Sequence, residues 1–313
     1  MRVIETFLRG KYEDQSRCED GIVTGSRITA VIDGVTSHGK LRWNGGTSGR
    51  FAKDVLCEYI LANEDVLVKL PAGECMRRLN SVLAIKCEEA HPGPKAIEEY
   101  PRACIILYNS EAGEVWSCGD CHCRIGDEVH CEGKEVDRLL AELRSFVIRS
   151  EILRKMAQER SQPERKKPAQ KPDLPDGNLL EGKMPAQEPG QFAGQHVGQD
   201  VGREAILPLI KRQLWFENTP GPFGYPVLNG LSFAEEMVRV WPVPDGAEVV
   251  LTTDGYPEPG ASLAESEARL REIIAEDPLC IGVNAGTKGI MDGMESFDDR
   301  AYVRVATATG GCR

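Results

Sequence analysis

The chain has 313 residues, a formal charge of −11 and 41% apolar residues. That is enough for one large domain or two small ones with a buried core. The acidic balance argues against nucleic acid as the main partner, because phosphate backbones need clustered Lys and Arg. Eleven scattered cysteines, an odd count, precede or follow no secretory pattern: the start, MRVIETFLRGKYEDQ, lacks an apolar h-region. No stretch approaches the roughly 18 apolar residues that span a bilayer. The expectation is therefore a cytoplasmic protein with reduced thiols and no membrane partner.

In chain order, ITAVID (28–33), ACIILYNS (103–110) and EVWSC (114–118) read as strands. The last two are joined through Glu111-Ala112-Gly113 as a hairpin. Between them, Ser48 to Leu61 and Gly73 to Glu89 carry helical apolar stripes, the first through Phe51, Val55, Leu56, Tyr59 and Ile60. A long charged helix follows, with Leu139, Leu140, Leu143, Phe146, Val147 and Ile152 as its apolar positions. From about 161 to 202 the composition turns to Pro, Gln, Gly and Lys, which cannot bury enough apolar surface to fold alone and predicts a mobile insertion. AEVVLTTDG (247–255) is a buried strand, 263–277 a helix, and DRAYVRVATAT (299–309) a final strand.

Two apolar strands end in Asp-Gly, at Asp33-Gly34 and Asp254-Gly255. A carboxylate pair, Asp298-Asp299, precedes a third strand, and another, Glu19-Asp20, sits just before the strand that leads to Asp33. A lone Asp-Gly is most often a hairpin turn. The set is more telling, because carboxylates at several strand ends converge only if cations sit between them, and Mg²⁺ and Mn²⁺ take oxygen ligands. A glycine after the ligand lets its backbone approach an ion.

The order of these motifs resembles the type 2C (PPM) protein serine/threonine phosphatases. The matching segments are C-E-D-G (18–21), V-I-D-G-V-T (31–36), G-G-T-S-G-R-F-A (45–52), S-C-G-D-C (117–121), T-T-D-G-Y-P-E (252–258) and F-D-D-R-A-Y-V (297–303). The resemblance implies an α+β fold, a four-layer α-β-β-α sandwich of two mainly antiparallel sheets flanked by helices. It implies a single domain over 1–313, interrupted by the insertion. It also implies hydrolysis of phosphoserine and phosphothreonine in proteins by a metal-bridging hydroxide, with Mn²⁺ or Mg²⁺ as cofactor. Two ions are expected, and in some members a third, looser one. Asp33 would bridge the two ions with the Gly34 carbonyl on one. Glu19 or Asp20 would serve one ion, Asp254 and Asp298 the other, and Asp120 the third. The partners would be a phosphorylated protein and a cognate protein kinase.

The chain departs from that pattern. Gln15 stands where many members carry a phosphate-binding Arg, with Arg17 nearby as its substitute. Asp299 follows Asp298 in place of Asn, which leaves the choice of ligand between them open. His38, just after the Asp33 turn, is a candidate general acid, since its unperturbed pKa suits proton transfer near neutrality; a plain loop histidine is the competing reading. Cys118, Cys121, Cys123 and Cys131 crowd a short stretch where zinc competes with plain burial. The alternatives to an active protein phosphatase are an interaction module on the same fold and a hydrolase of small phosphate esters.

Composition makes one prediction by itself. Limited proteolysis should cut first between about 161 and 202 and leave the two flanks associated, as seen by gel and size exclusion. Earlier cleavage elsewhere would refute this organisation.

Overall fold

The computed structural model describes residues 1–36, 39–131, 133–161 and 200–307. Of the expected insertion, 162–199 lies outside the described residues, as does His38.

Ten strands form two five-stranded sheets, antiparallel throughout. The first contains β2 (Asp20–Thr24), β3 (Ile28–Val35), β4 (Arg102–Asn109), β5 (Glu114–Cys118) and β8 (Arg239–Pro242), in that order. The second runs β1 (Arg2–Arg9), β10 (Arg300–Ala306), β9 (Glu248–Thr252), β6 (His122–Ile125) and β7 (Glu128–His130). The sheets face each other across a core that includes Val31, Ile106, Val249, Leu251, Val303 and Val305. The helices α1 (Ser48–Ala62) and α3 (Ala72–Ala90), joined through the short α2 (Glu64–Leu67), cover the first sheet through Phe51, Leu56, Ile60, Met76 and Leu79. The helix α6 (Leu263–Glu276) covers the second through Leu270, beside Val250 and Tyr302. This is the α-β-β-α sandwich that the motif order implied. No helix among the described residues is long and apolar enough to cross a membrane.

The expected strands and helices are all present, with ends moved by a few residues. The alternation of β1 is masked by Arg2, Glu5 and Arg9, which suit an edge strand paired only with β10. The structure corrects two expectations. First, α4 (Glu135–Ser161) does not bury Leu139, Leu143 and Phe146, which are exposed. Its inward face steps by four through Val136, Leu140, Arg144, Ile148 and Ile152, and the guanidinium at its centre hides that face from an apolar count. Second, α5 (Val201–Gln213) starts inside the expected insertion, with the Asp200 side chain capping the Arg203 N–H.

The two Asp-Gly steps are not hairpin turns. Gly34 lies within β3, and a Cβ there would sit 2.3 Å from the Gly49 carbonyl oxygen at the start of α1. At Gly255 the same atom would be 1.9 Å from the Asp299 carbonyl oxygen. Each glycine lets a second segment pass against the strand end that bears the aspartate. Gly255→Ala should therefore force the 253–256 and 298–300 segments apart and destabilise the fold by about 1–3 kcal/mol, the usual range for overpacking. Urea denaturation measures it; an unchanged midpoint would refute the close approach.

Candidate metal centre and catalytic cleft

Strand phase brings the acidic residues to one place. Asp20 is directly opposite Asp33, and Asp33 is directly opposite Cys104 on the other side. Side chains two apart on a strand share a face. Asp33 thus continues the row of Val31, and Cys104 the row of Ile106, both in the inter-sheet core. The acidic groups begin where that apolar layer ends. Asp120 lies between β5 and β6, where the chain crosses from the first sheet to the second. Gly119 makes that corner with φ +114°, a conformation L side chains rarely adopt. Asp254 follows β9, and Asp298 and Asp299 precede its antiparallel neighbour β10, so all three arrive at the same end.

The register also separates Asp298 from Asp299. Asp299 is in phase with Ala301, Val303 and Val305 and is 2% exposed. Its carboxylate accepts the Lys11 N–H at 2.8 Å and the Glu19 N–H at 3.0 Å, fastening both loops to β10. Asp298 instead lines the cleft with Asp33, Gly34, Asp120 and Asp254. Glu19 and Asp20 sit behind: the Thr253 hydroxyl donates to Asp20 at 2.6 Å, and the Thr36 hydroxyl donates to Glu19. Two adjoining cavities of about 290 and 360 Å³ share Asp120, Asp254 and Asp298. A third hollow of about 450 Å³ lies against α1 and α3, and none of these aspartates lines it.

Four cations that the motifs did not point to reach the same cleft: Lys11, Lys134, Lys288 and Arg203. Lys134 pairs with Asp120 at 2.7 Å; Lys11 pairs with Asp298 at 2.9 Å, and Lys288 with its other oxygen. Only long-range contact announces them, and a lysine in a loop carries no spacing signal. The loop that delivers Lys288 is rigidly held. Arg144 donates to the carbonyls of Leu279, Cys280 and Gly286, and Asp277 accepts the N–H groups of Ile281, Gly282 and Asn284.

Of the other sequence candidates, Arg17 stacks over the Tyr12 ring at 3.5 Å and does not line the cleft. Gln15 closes its own loop, donating to the Tyr12 carbonyl and accepting the Gly10 N–H. The four clustered cysteines are not assembled. Cys118 lies in the helix-side core, Cys121 and Cys123 lie between the sheets, and Cys131 is exposed.

Charge is crowded here. Burial and the neighbouring carboxylates, Asp254 first, push Asp33 well above the usual range. Burial likewise raises Asp20, with Asp299 and Asp298 adding to it against the Thr253 hydrogen bond. Asp254 is pushed up to about 8 by burial and then by the charges of Asp298 and Asp120. Burial would raise Asp298 and Asp120 too. Lys288 and Lys11 hold the first below its ordinary value, and Lys134 holds the second there. The side chains of Asp33 and Asp254 make no hydrogen bond or ion pair among the described residues. Glu19 Oε1 and Asp120 Oδ1 are buried without a partner. Buried carboxylate oxygens left in this state fit divalent cations.

No protein-family model matches the chain, and no curated protein matches it. The solved structures to which it is similar include serine/threonine phosphatases, one of them described as PPM-type. The Mycobacterium tuberculosis serine/threonine phosphatase PstP/Ppp is 14% identical, with a TM-score of 0.44 over 98% of this chain and 100% of that one. The PPM Ser-Thr phosphatase MsPP from Mycobacterium smegmatis, in complex with cacodylate, is 12% identical, with a TM-score of 0.43 over 99% and 100%. RsbX in complex with magnesium is 11% identical, with a TM-score of 0.40 over 98% and 99%. At this level the likeness assigns no chemistry to the chain, which rests on its own residues.

The charge crowding has a measurable pH signature. A carboxyl whose folded pKa is raised holds its proton in the folded state while the unfolded chain has lost it. Its stabilising contribution is full below the ordinary Asp value and is lost as pH rises through about 8 at Asp254. Metal-free protein should therefore melt at falling temperature from about pH 5 to about pH 9, and Asp254→Asn should flatten that slope. An Asn variant with the wild-type slope would show that Asp254 titrates normally.

Proposed function

We propose that the chain is a divalent-metal-dependent phosphatase that hydrolyses phosphoserine and phosphothreonine in proteins, of the type 2C kind. The observation that carries this reading is the convergence of Asp33, Asp254 and Asp298 on one cleft that Lys and Arg side chains also line. Carboxylates suit cations and ammonium groups suit phosphate, and a phosphomonoesterase needs both within one site.

Asp33 would hold both ions, with the Gly34 carbonyl beside it; Glu19 and Asp20 would serve one ion, and Asp254 and Asp298 the other. Bound there, the ions would supply a water acidic enough to act as nucleophile near neutral pH and would neutralise phosphate charge. The chain's own groups do the rest. Thr253 fixes the Asp20 carboxylate, and Asp299 fixes the backbone of Glu19, so the inner carboxylates cannot swing apart. Lys11, Lys134, Lys288 and Arg203 take the phosphate-positioning role in place of Arg17, because these four line the cleft and Arg17 does not. Lysine meets phosphate as a compact point charge, without the paired hydrogen bonds of arginine. His38 stands in this proposal as the general acid for the leaving oxygen.

One observation favours the rival reading, an interaction module without turnover. Lys11, Lys288 and Lys134 already neutralise Asp298 and Asp120. Ion pairs of this kind satisfy a carboxylate without any metal.

The two readings differ in what metal and one charge do. The enzyme should hydrolyse an aryl phosphate and phosphopeptides with added Mn²⁺ or Mg²⁺ and lose that activity in excess EDTA. Asp254→Asn should lower turnover at least about a hundredfold, near 2.7 kcal/mol at roughly 1.36 kcal/mol per tenfold. A wild type inactive with either metal would favour the module. Full activity in EDTA, or an Asn variant that keeps its rate, would remove the ions from the residues named.

A further inference from the structure

Cys104 stands among the cleft aspartates, where the acidic motifs gave no reason to expect a thiol. It is fully buried, and its Sγ lies within 4.8 Å of one carboxylate oxygen each from Asp33 and Asp120, with those oxygens equally close to each other. Among the described residues this is the one trio of His, Cys, Asp or Glu side chains grouped closely enough to share a metal ion. We propose that Cys104, Asp33 and Asp120 together bind one divalent cation, and that the thiolate makes this position select a thiophilic ion such as Zn²⁺ or Co²⁺ over Mg²⁺.

Three further observations carry it. Asp120 is 9% exposed, and its Oδ1 is buried without a hydrogen-bond partner, while Lys134 holds its other oxygen. The Asp33 carboxylate makes no hydrogen bond or ion pair among the described residues. The trio is also pressed together by the backbone. Cys104 is opposite Asp33 in the β3–β4 register, and a Cβ at Gly119 would sit 2.4 Å from the Cys104 Cβ and Sγ. The corner that carries Asp120 therefore rests directly on the thiol. Zinc takes sulfur at about 2.3 Å and carboxylate oxygen at about 2.1 Å, so side-chain shifts on the order of 1 Å would close the trio around an ion.

The competing account is that Cys104 only fills space beside Val31 and Ile106, as buried cysteines commonly do. Packing alone does not explain two carboxylates converging on the sulfur, Asp120 close enough to accept a hydrogen bond from the thiol. Metal choice follows from ligand type: thiolate favours Zn²⁺ and Co²⁺, whereas an all-oxygen set suits Mg²⁺ and Mn²⁺. On binding, the thiol proton leaves to solvent as the metal–sulfur bond forms, with no change in oxidation state.

The inference rests on reading the cleft as a cation site, and its test is read without turnover. The full chain, reduced and stripped of metal, is titrated with Co²⁺ and followed in the near ultraviolet for thiolate-to-cobalt charge transfer. The wild type should show the band, and Zn²⁺ should abolish it by displacement. Cys104→Ser should lose the band and at least about tenfold in Zn²⁺ affinity, with Mg²⁺ affinity unchanged. Cys131→Ser, at an exposed thiol outside the cleft, should keep both. Cys104→Ala, which preserves apolar packing, stands in if the Ser variant does not fold. A wild type without the band, or a band that survives loss of Cys104, overturns the proposal. Aryl-phosphate turnover is measured in parallel: a band without turnover keeps this site and sinks the phosphatase reading, and turnover without a band does the reverse.

Discussion

Mutual repulsion among Asp20, Asp33, Asp120, Asp254 and Asp298 is the constraint around which this end of the molecule is organised. Two unit charges about 4 Å apart at an effective dielectric near 20 repel by roughly 4 kcal/mol. The effect is visible in Asp254, whose carboxyl is pushed up to about 8 by burial and then by the charges of Asp298 and Asp120. Lysines relieve part of the load at Asp120 and Asp298. Asp33 and Asp254 have no such partner among the described residues. A cluster that leaves its central members unrelieved costs folding stability, which a cation bound there would offset.

The rest of the fold keeps those charges from escaping one another. Backbone register fixes Asp20, Asp33 and Cys104 in one row across three strands. The Asp299 carboxylate ties the Lys11 and Glu19 backbones to the start of β10. Glycines at 34 and 255 let α1 and the approach to β10 close onto the strand ends. Arg144, buried in the inward face of α4, anchors the loop that presents Lys288. Each device uses backbone hydrogen bonds or steric contact rather than flexible surface pairs, which suits a site that must hold like charges at short range.

On the proposed reading, the same motif order carries different chemistry here. Moving the positive charge from an arginine near residue 15 to lysines on three separate loops changes how an anion would be held, from a planar fork to point charges. A thiol beside two carboxylates changes which cation would be preferred. Neither change disturbs the sheets, because both sit where the apolar inter-sheet layer has already ended.

The sequence by itself determined β3, β4, β5, β9 and β10, the main helices and the aspartates at the strand ends, because apolar periodicity and Asp-Gly punctuation are local signals, whereas the short or charge-bearing strands β1, β2, β6, β7 and β8 carry too little of either. It reached the sandwich only through motif order. Tertiary structure alone decided that Asp298 faces the cleft while Asp299 is a buried tie, since that depends on the phase of β10 against β1 and the early loop. It also decided that Arg17 stacks on Tyr12, that Lys11, Lys134 and Lys288 enter the site, and that Cys104 adjoins Asp33 and Asp120. The lysines and the thiol come to the aspartates from segments far apart in the chain, and only strand pairing and loop closure set which of them meet.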